Sequence, residues 1–166
     1  MPPPTPDAVE RSLSDVVIEN LDDDGPRFVL ADHWMEQGDP RGELVMRQLT
    51  LPGDAAVARR MMRERHRFLG ELDRWIERPA FSRGFLSSCT LRVHGPLVTF
   101  PIDSPLWRTV EQLDAAGADL PIAELIERMP RLTSLTGVHE ERLESVRDAA
   151  RRHPMFLSLD IGWPDL

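Results

Sequence analysis

The chain has 166 residues, enough for one domain or two small ones, and its 41% hydrophobic and 29% charged residues are ordinary for a soluble globular protein. A net charge of −8, with 20 basic residues that are all arginine, argues against a general nucleic-acid-binding protein, because phosphate contacts require excess positive charge. The chain has no apolar run long enough to span a bilayer and no secretory signal pattern, so we expect a cytoplasmic protein without a membrane segment. The single cysteine, Cys89, is expected to be a buried, inert thiol.

The hydrophobic pattern in the first half of the chain predicts α-helices. Residues 6–20 predict the first, and its expected buried face consists of Val9, Leu13, Val16, Val17 and Asn20. The acidic turn at 21–26 ends this helix, and Asp23 or Asp24 is the expected N-cap of a second helix at 26–37. The expected buried face of the second helix is Phe28, Ala31 and Met35, with Leu30 and Trp34 alongside.

Two further helices are predicted after residue 38. Gly38 is expected to end the second helix, and Asp39 and Pro40 to begin the third as its N-cap and first residue. A fourth helical segment is predicted at 53–78, with Pro79 ending it. Its arginines favour a solvated face of salt bridges, while a nucleic-acid contact is the alternative interpretation.

The second half of the chain shows a repeat. Leu91, Leu113, Leu135 and Leu159 are 22, 22 and 24 residues apart, and each lies in a short apolar segment typical of a strand. Helices are predicted between strands, at 118–129 and 140–153. A period in the low twenties with this leucine spacing is typical of a leucine-rich-repeat-like solenoid. We therefore predict an α/β protein with a small parallel sheet of about four strands in short, irregular repeats.

Residues 25–49, GPRFVLADHWMEQGDPRGELVMRQL, combine an Ala-Asp pair, an acid at Glu36 and the run Gly-Asp-Pro-Arg-Gly-Glu. This segment resembles the bacterial repeat-companion domain, a helical module of myxobacterial and planctomycete proteins that often lies beside leucine-rich-like repeats. The family usually has tryptophan directly after Ala-Asp, where this chain has His33. Residues 74–93 are similar to the continuation of that family. The resemblance covers about residues 10–93 and implies an architecture but no activity. Together with the repeat, it leads us to expect a helical cap, residues 1–80, packed on leucine-rich-repeat-like units at 81–166.

Residues 31–45 are the densest cluster of potentially reactive side chains. Asp32 and Glu36 share a helix face beside His33, a pattern that could begin a metal site or a hydrolase centre. No second histidine stands at ligand spacing, so we expect no metal, no cofactor and no catalytic residue. We interpret the cluster as a helix corner in which Arg41 and Arg27 pair with Asp32 or Glu36. The residues of this structural motif are Asp32, Glu36, Gly38, Asp39, Pro40, Arg41, Gly42 and Glu43.

The predicted sheet offers the better candidate for a binding site. When leucines point inward, the residues between them line the exposed face of the sheet. The column before each leucine is Thr90, Gln112, Ser134 and Ser158. The column after each leucine is Arg92, Asp114, Thr136 and Asp160.

Repeat proteins bind partners on such surfaces, so we predict a non-enzymatic protein–protein interaction module, an adaptor or regulatory subunit. The alternative is an immunity-type or inhibitor protein that blocks a basic toxin or enzyme, since the acidic charge favours a basic partner. A hydrolase that uses the acidic and histidine residues of 32–43 is the third possibility.

Overall fold

The structure, a computed structural model, describes residues 7–92 and 95–155, and the backbone alone of 158–160. The α-helices in these ranges are α1 (Ala8–Glu19), α2 (Gly25–Glu36), α3 (Pro40–Thr50), α4 (Ala55–Arg63), α5 (Arg65–Leu69), α6 (Ile122–Glu127) and α7 (Leu143–Arg152). The strands are β1 (Ile76–Ser82), β2 (Phe85–Leu91), β3 (Gln112–Asp114), β4 (Ser134–Thr136) and β5 (Ser158–Asp160). The predicted α/β class is confirmed. No helix in the described part of the chain is long and apolar enough to cross a membrane.

The chain forms two compact units. The first unit consists of Met1–Gly70 and Phe81–Phe85 and holds helices α1 to α5. The second consists of Glu71–Ala80 and Leu86–Leu166 and holds most of the sheet with α6 and α7. The domain boundary predicted at residue 80 therefore lies within β1.

In the first unit, the buried face of α1 matches the predicted one only in part. Val17 and Ile18 are buried, whereas Val9 and Val16 are exposed. The reason is a polar contact, because Glu10 lies on the inward side of α1 and its carboxylate pairs with Arg41. Hydrophobic spacing alone cannot reveal that an acid belongs to the buried face.

Helices α2 and α3 approach each other closely at Gly42. A Cβ atom at Gly42 would lie 2.5 Å from the carbonyl oxygen of Ala31 and 2.6 Å from Met35 Cγ. Ala31, Leu30 and Trp34 are buried, but Met35 is 42% exposed, so its predicted place in the buried face of α2 is wrong. Met35 Cγ lies close to Gly42 of α3.

The single helix predicted at 53–78 is wrong. Helix α4 ends at Arg63, α5 ends before Gly70, and Gly70–Trp75 forms a 3-10 helix. Gly70 has a φ of +53°, a left-handed conformation that stops an α-helix. Pro79 lies inside β1 rather than at a helix end, which is possible because β1 is an edge strand that need not donate every N–H.

The turn between β1 and β2 belongs to the first unit and contacts other residues of that unit. Arg83 and Gly84 both have positive φ, as the two-residue turn of a hairpin requires. The side chain of Gln48 donates to Phe81 O at 2.7 Å and accepts from Gly84 N at 2.6 Å. Arg83 donates to the Asp24 carboxylate at 2.6 Å, so Asp24 precedes α2 without a side-chain cap.

The second unit contains a five-stranded sheet in the order β1-β2-β3-β4-β5. Strands β2 to β5 are parallel, and β1 joins β2 through the hairpin turn. Helix α6 follows β3 and α7 follows β4, since parallel neighbours need a connection that returns the chain to the starting edge. Leu113 and Leu135 are buried beneath the sheet, and these helices bury Leu125 and Val146.

Candidate binding site on the sheet

The strand register differs from the predicted one by two residues at β2. Cys89, not Leu91, pairs with Leu113, which pairs in turn with Leu135 and then Leu159. Both Cys89 and Leu91 are buried, because side chains two residues apart share a strand face. A slip of two residues keeps the hydrophobic pattern intact, so the sequence could not distinguish the two registers.

The corrected register changes the two predicted columns. The first column is Ser88, Gln112, Ser134 and Ser158, and the second is Thr90, Asp114, Thr136 and Asp160. Thr90 therefore belongs with Asp114, not with Gln112. Ser158 and Asp160 occupy their predicted strand positions in β5, but their side chains lie outside the described part of the chain.

Arg92 does not belong to the sheet face, so its predicted place in a column is wrong. It follows the end of β2 at Leu91, and its N–H donates to Trp75 O at 3.0 Å. Its Nε donates to Arg74 O at 2.8 Å, and its guanidinium lies 3.7 Å from Glu77. These contacts tie Arg92 to the chain at the start of β1.

The aligned side chains line a cavity of about 200 Å³ that opens to solvent. Five of the predicted residues line it: Thr90, Gln112, Asp114, Ser134 and Thr136. The other lining residues are Arg78, Ser88, Cys89 and Leu113. All nine belong to the second unit.

The sequence pattern did not indicate Arg78 or Ser88 as lining residues, for different reasons. Ser88 would have been found by shifting the β2 register by two residues. Arg78 gave no signal, because it lies in a segment whose pattern predicted a helix. It is exposed in β1, and its φ of +45° is unusual for a residue with a side chain.

Asp114 is half-buried and also supports the loop after β3. Its Oδ1 accepts a hydrogen bond from Ala116 N at 2.9 Å. A Cβ atom at Gly137 would overlap this carboxylate and the Ala116 backbone, so the glycine leaves the room that this loop needs. The orientation of Asp114 in the cavity is therefore set by its own turn.

Cys89 borders the cavity, but its side chain is on the buried face of β2, the face that also carries Leu91. Burial, together with the nearby Asp114 charge, raises the pKa of the Cys89 thiol to about 12. A thiol with such a pKa stays protonated at neutral pH and is a poor nucleophile. The cavity thus presents hydroxyl, amide, carboxylate and guanidinium groups without a reactive thiolate.

The other candidate, the cluster at 31–45, has a different arrangement from the predicted ion pairs. Arg41 is buried and pairs with Glu10 at 2.8 Å and Asp39 at 2.9 Å, and not with Asp32 or Glu36, which are exposed. Arg27 donates to the carbonyl oxygen of Asp23 and lies 3.9 Å from the Asp24 carboxylate instead. The prediction that these arginines pair with Asp32 or Glu36 is therefore wrong.

Asp39 serves two purposes at the start of α3. Its Oδ1 accepts from Arg41 N at 2.9 Å as the N-cap, and its Oδ2 accepts from the Arg41 guanidinium. Burial acts to raise the pKa of the Asp39 carboxyl, but the hydrogen bonds and charge of Arg41 outweigh it, so the pKa lies below its usual value. The guanidinium also lies 4.3 Å from the ring centre of Trp34.

Two other residues of the cluster, His33 and Glu43, pair with separate partners. His33 Nε2 lies 3.6 Å from the Asp7 carboxylate at the start of α1. Glu43 pairs with Arg60 at 3.1 Å. Pro40 occupies the first turn of α3, and Gly38 has a φ of +70° after the end of α2. Within the described ranges, no group of three His, Cys, Asp or Glu side chains could hold a metal ion.

Comparison with known proteins found no matching family model, no matching curated protein and no matching solved structure. The resemblance of residues 25–49 to the repeat-companion domain therefore stays a prediction.

Proposed function

We propose that the protein is a non-enzymatic interaction module that binds a protein partner through the exposed sheet face. The observation that carries the proposal is the cavity, which is lined by side chains from four neighbouring strands, β1 to β4. Such a cavity offers a partner several polar groups whose spacing is set by the strand register. In this role the chain acts as an adaptor or a regulatory subunit.

The second unit also supports a finer fold proposal, a degenerate leucine-rich-repeat-like solenoid. Strands β3, β4 and β5 have three residues each and pair in parallel with inward residues in register. Strand, connection and helix alternate over 112–152. Repeat proteins of this type commonly use the strand surface for recognition. The helical residues 1–80 as a cap of this solenoid remain a prediction.

The net charge of the chain supports one alternative function. The net charge of −8 would attract a basic protein, as expected for an inhibitor of a basic toxin or enzyme. This alternative predicts that association slows steeply as salt is added, because steering by net charge is screened.

The test uses a variant that fills the cavity without changing charge. We expect the double substitution Thr90→Gln and Ser134→Gln to reduce partner capture about tenfold or more, because both positions line the cavity. The immobilised full chain would be incubated with lysate of the native host, and captured proteins would be identified by mass spectrometry.

The matched control is Ser12→Gln with Ser82→Gln, two exposed positions in the first unit. The control variant should capture the same partner as the unchanged chain, and both variants should keep the same melting temperature. Equal capture by the cavity-filling variant, or loss of capture only in the control variant, would contradict the sheet-face proposal.

A further inference from the structure

The backbone of Arg78 is strained at the wall of the cavity. Its φ of +45° is a left-handed conformation that costs a residue with a side chain about 1–2 kcal/mol. The two other non-glycine residues with positive φ in the described ranges, Arg83 and Ala116, lie in turns, whereas Arg78 lies within β1. Irregular backbone in an edge strand commonly re-aims a side chain, and here the side chain concerned lines the cavity.

The guanidinium of Arg78 has no hydrogen-bond or ion-pair partner among the described residues. The adjacent acid, Glu77, lies beside Arg92 instead, at 3.7 Å. Asp114 lines the same cavity but forms no ion pair with Arg78. An arginine that lines a cavity without an internal partner can offer its fork of N–H donors to a ligand.

The polar side chains beside Arg78 are also uncommitted. Ser88, Thr90 and Gln112 form no side-chain hydrogen bond within the described part of the chain. Hydroxyl groups next to the cavity behave differently: Ser87 Oγ donates to Ala80 O at 3.1 Å, and Thr133 Oγ1 donates to Glu111 O at 3.0 Å. The donors that line the cavity are thus free to face a ligand.

The charges favour a ligand with a single negative charge. Arg78 supplies one positive charge, and Asp114 supplies one negative charge that its bond to Ala116 N holds in place. A phosphate dianion would bring two negative charges towards Asp114, whereas a carboxylate brings only one. A carboxylate can also accept two parallel hydrogen bonds from the planar guanidinium of an arginine. Chain-terminal carboxylates are usually captured by free backbone N–H groups, but the backbone groups of β2, β3 and β4 that border the cavity pair between strands.

We propose that the cavity binds the side-chain carboxylate of an aspartate or glutamate from the protein partner. Arg78 pairs with the carboxylate, and Ser88, Thr90 and Gln112 donate the remaining hydrogen bonds. This inference rests on the proposed function and names the group that the partner presents. The partner is thus a protein that presents an exposed aspartate or glutamate side chain.

The test measures carboxylate binding directly on the full chain by NMR titration at constant ionic strength. The probe is N-acetyl-glutamic acid α-amide, and the comparison probes are the glutamine analogue, N-acetylglycine and inorganic phosphate. We expect the glutamic acid probe to bind weakly and saturably, with shifts in the Arg78 Nε–H signal and in the amides of Ser88 and Thr90. The glutamine analogue should bind about tenfold more weakly or not at all, since it lacks the charge.

The variant Arg78→Gln should lower affinity for the glutamic acid probe by about ten- to a hundredfold. Arg78→Lys, which keeps the charge but not the fork, should fall between Arg78→Gln and the unchanged chain. The matched control is Arg147→Gln, because Arg147 is an exposed arginine on α7 outside the cavity, and this variant should bind as the unchanged chain does. Unchanged melting temperatures would show that each variant folds.

Several results would overturn the inference. These are absence of saturable binding, equal binding of the glutamine analogue, tighter binding of phosphate or N-acetylglycine, and unchanged affinity in Arg78→Gln. The small probes require no partner protein, so their result is independent of the capture experiment. Carboxylate binding with failed partner capture would reject the proposed function alone, and the reverse would reject the carboxylate inference alone.

Discussion

Arg41 Nη2 lies 2.8 Å from Glu10 Oε1, and this ion pair is almost fully shielded from solvent, with 9% and 12% of the two side chains exposed. The pair connects the start of α3 to α1 across 31 residues of sequence. Asp39 and the Trp34 ring contact the same guanidinium. Removing any one partner of such a buried charge strongly destabilises the folded chain.

Replacing Arg41 by methionine tests that network. We expect Arg41→Met to lower the free energy of unfolding by about 3–5 kcal/mol, because Glu10 and Asp39 would remain buried without their cation. Urea denaturation measures the change. The matched control is Arg60→Met, since the Arg60–Glu43 pair is 38% and 51% exposed and should contribute less than about 1 kcal/mol. Equal losses in the two variants would contradict the special role of Arg41.

The Asp39–Arg41 interaction predicts loss of stability in acid. The pKa of Asp39 is lower in the folded chain than its ordinary value of 3.8, so its contribution is present above that value. The contribution is lost as the pH falls through the lower, folded pKa. We expect the stability difference between the unchanged chain and Asp39→Asn, measured by urea unfolding, to shrink between about pH 6 and about pH 2. A difference that stays constant over this range would contradict the assignment.

The substitution Gly42→Ala should be strongly destabilising although it adds only one methyl group. The added Cβ atom would lie 2.5 Å from Ala31 O, so α2 and α3 would have to separate. We expect a loss of about 1–3 kcal/mol in the free energy of unfolding. Thermal denaturation would be compared with Ser12→Ala, an exposed helical control expected to change stability by less than about 0.5 kcal/mol. A silent Gly42→Ala variant would show that the helices are not in this close contact.

Alanine substitutions of Asp114 and Gln112 should change stability by different amounts, although both residues line the cavity. Asp114→Ala removes the acceptor for Ala116 N and should cost about 1–2 kcal/mol. Gln112→Ala should be nearly neutral, within about 0.5 kcal/mol, because this side chain is exposed. Chemical denaturation of the two variants checks this difference. If Asp114→Ala proved as neutral as Gln112→Ala, its carboxylate would not support the loop.

The Cys89 thiol should be protected in the folded chain. Its pKa of about 12 against an ordinary 9.0 lowers the thiolate fraction at about pH 8 on the order of a thousandfold. We expect a disulfide reagent to label the native chain slowly and the urea-unfolded chain quickly. Because the folded pKa is raised, the associated stability is complete below pH 9.0 and declines as the pH rises towards about 12. Rapid labelling of the native chain would contradict the burial of Cys89.

The candidate site could be predicted in part from the sequence, and strand β2 shows which part could not. The spacing of the apolar residues identified strands and placed Gln112, Asp114, Ser134 and Thr136 on one face. The same spacing could not select between Leu91 and Cys89 as the partner of Leu113, because both choices bury the same strand face. Packing of β2 against both neighbours selects the register, and with it Ser88 in place of Arg92.

The sequence by itself determined the features that depend on nearby residues. Asp39 and Pro40 begin α3 because capping needs only the next few backbone N–H groups, and α6 and α7 follow from short apolar periods. The tertiary structure alone decided that Arg41 pairs with Glu10 and that Arg78 lines the cavity. These contacts join residues far apart in sequence, so they depend on how helices and strands pack and leave no local pattern.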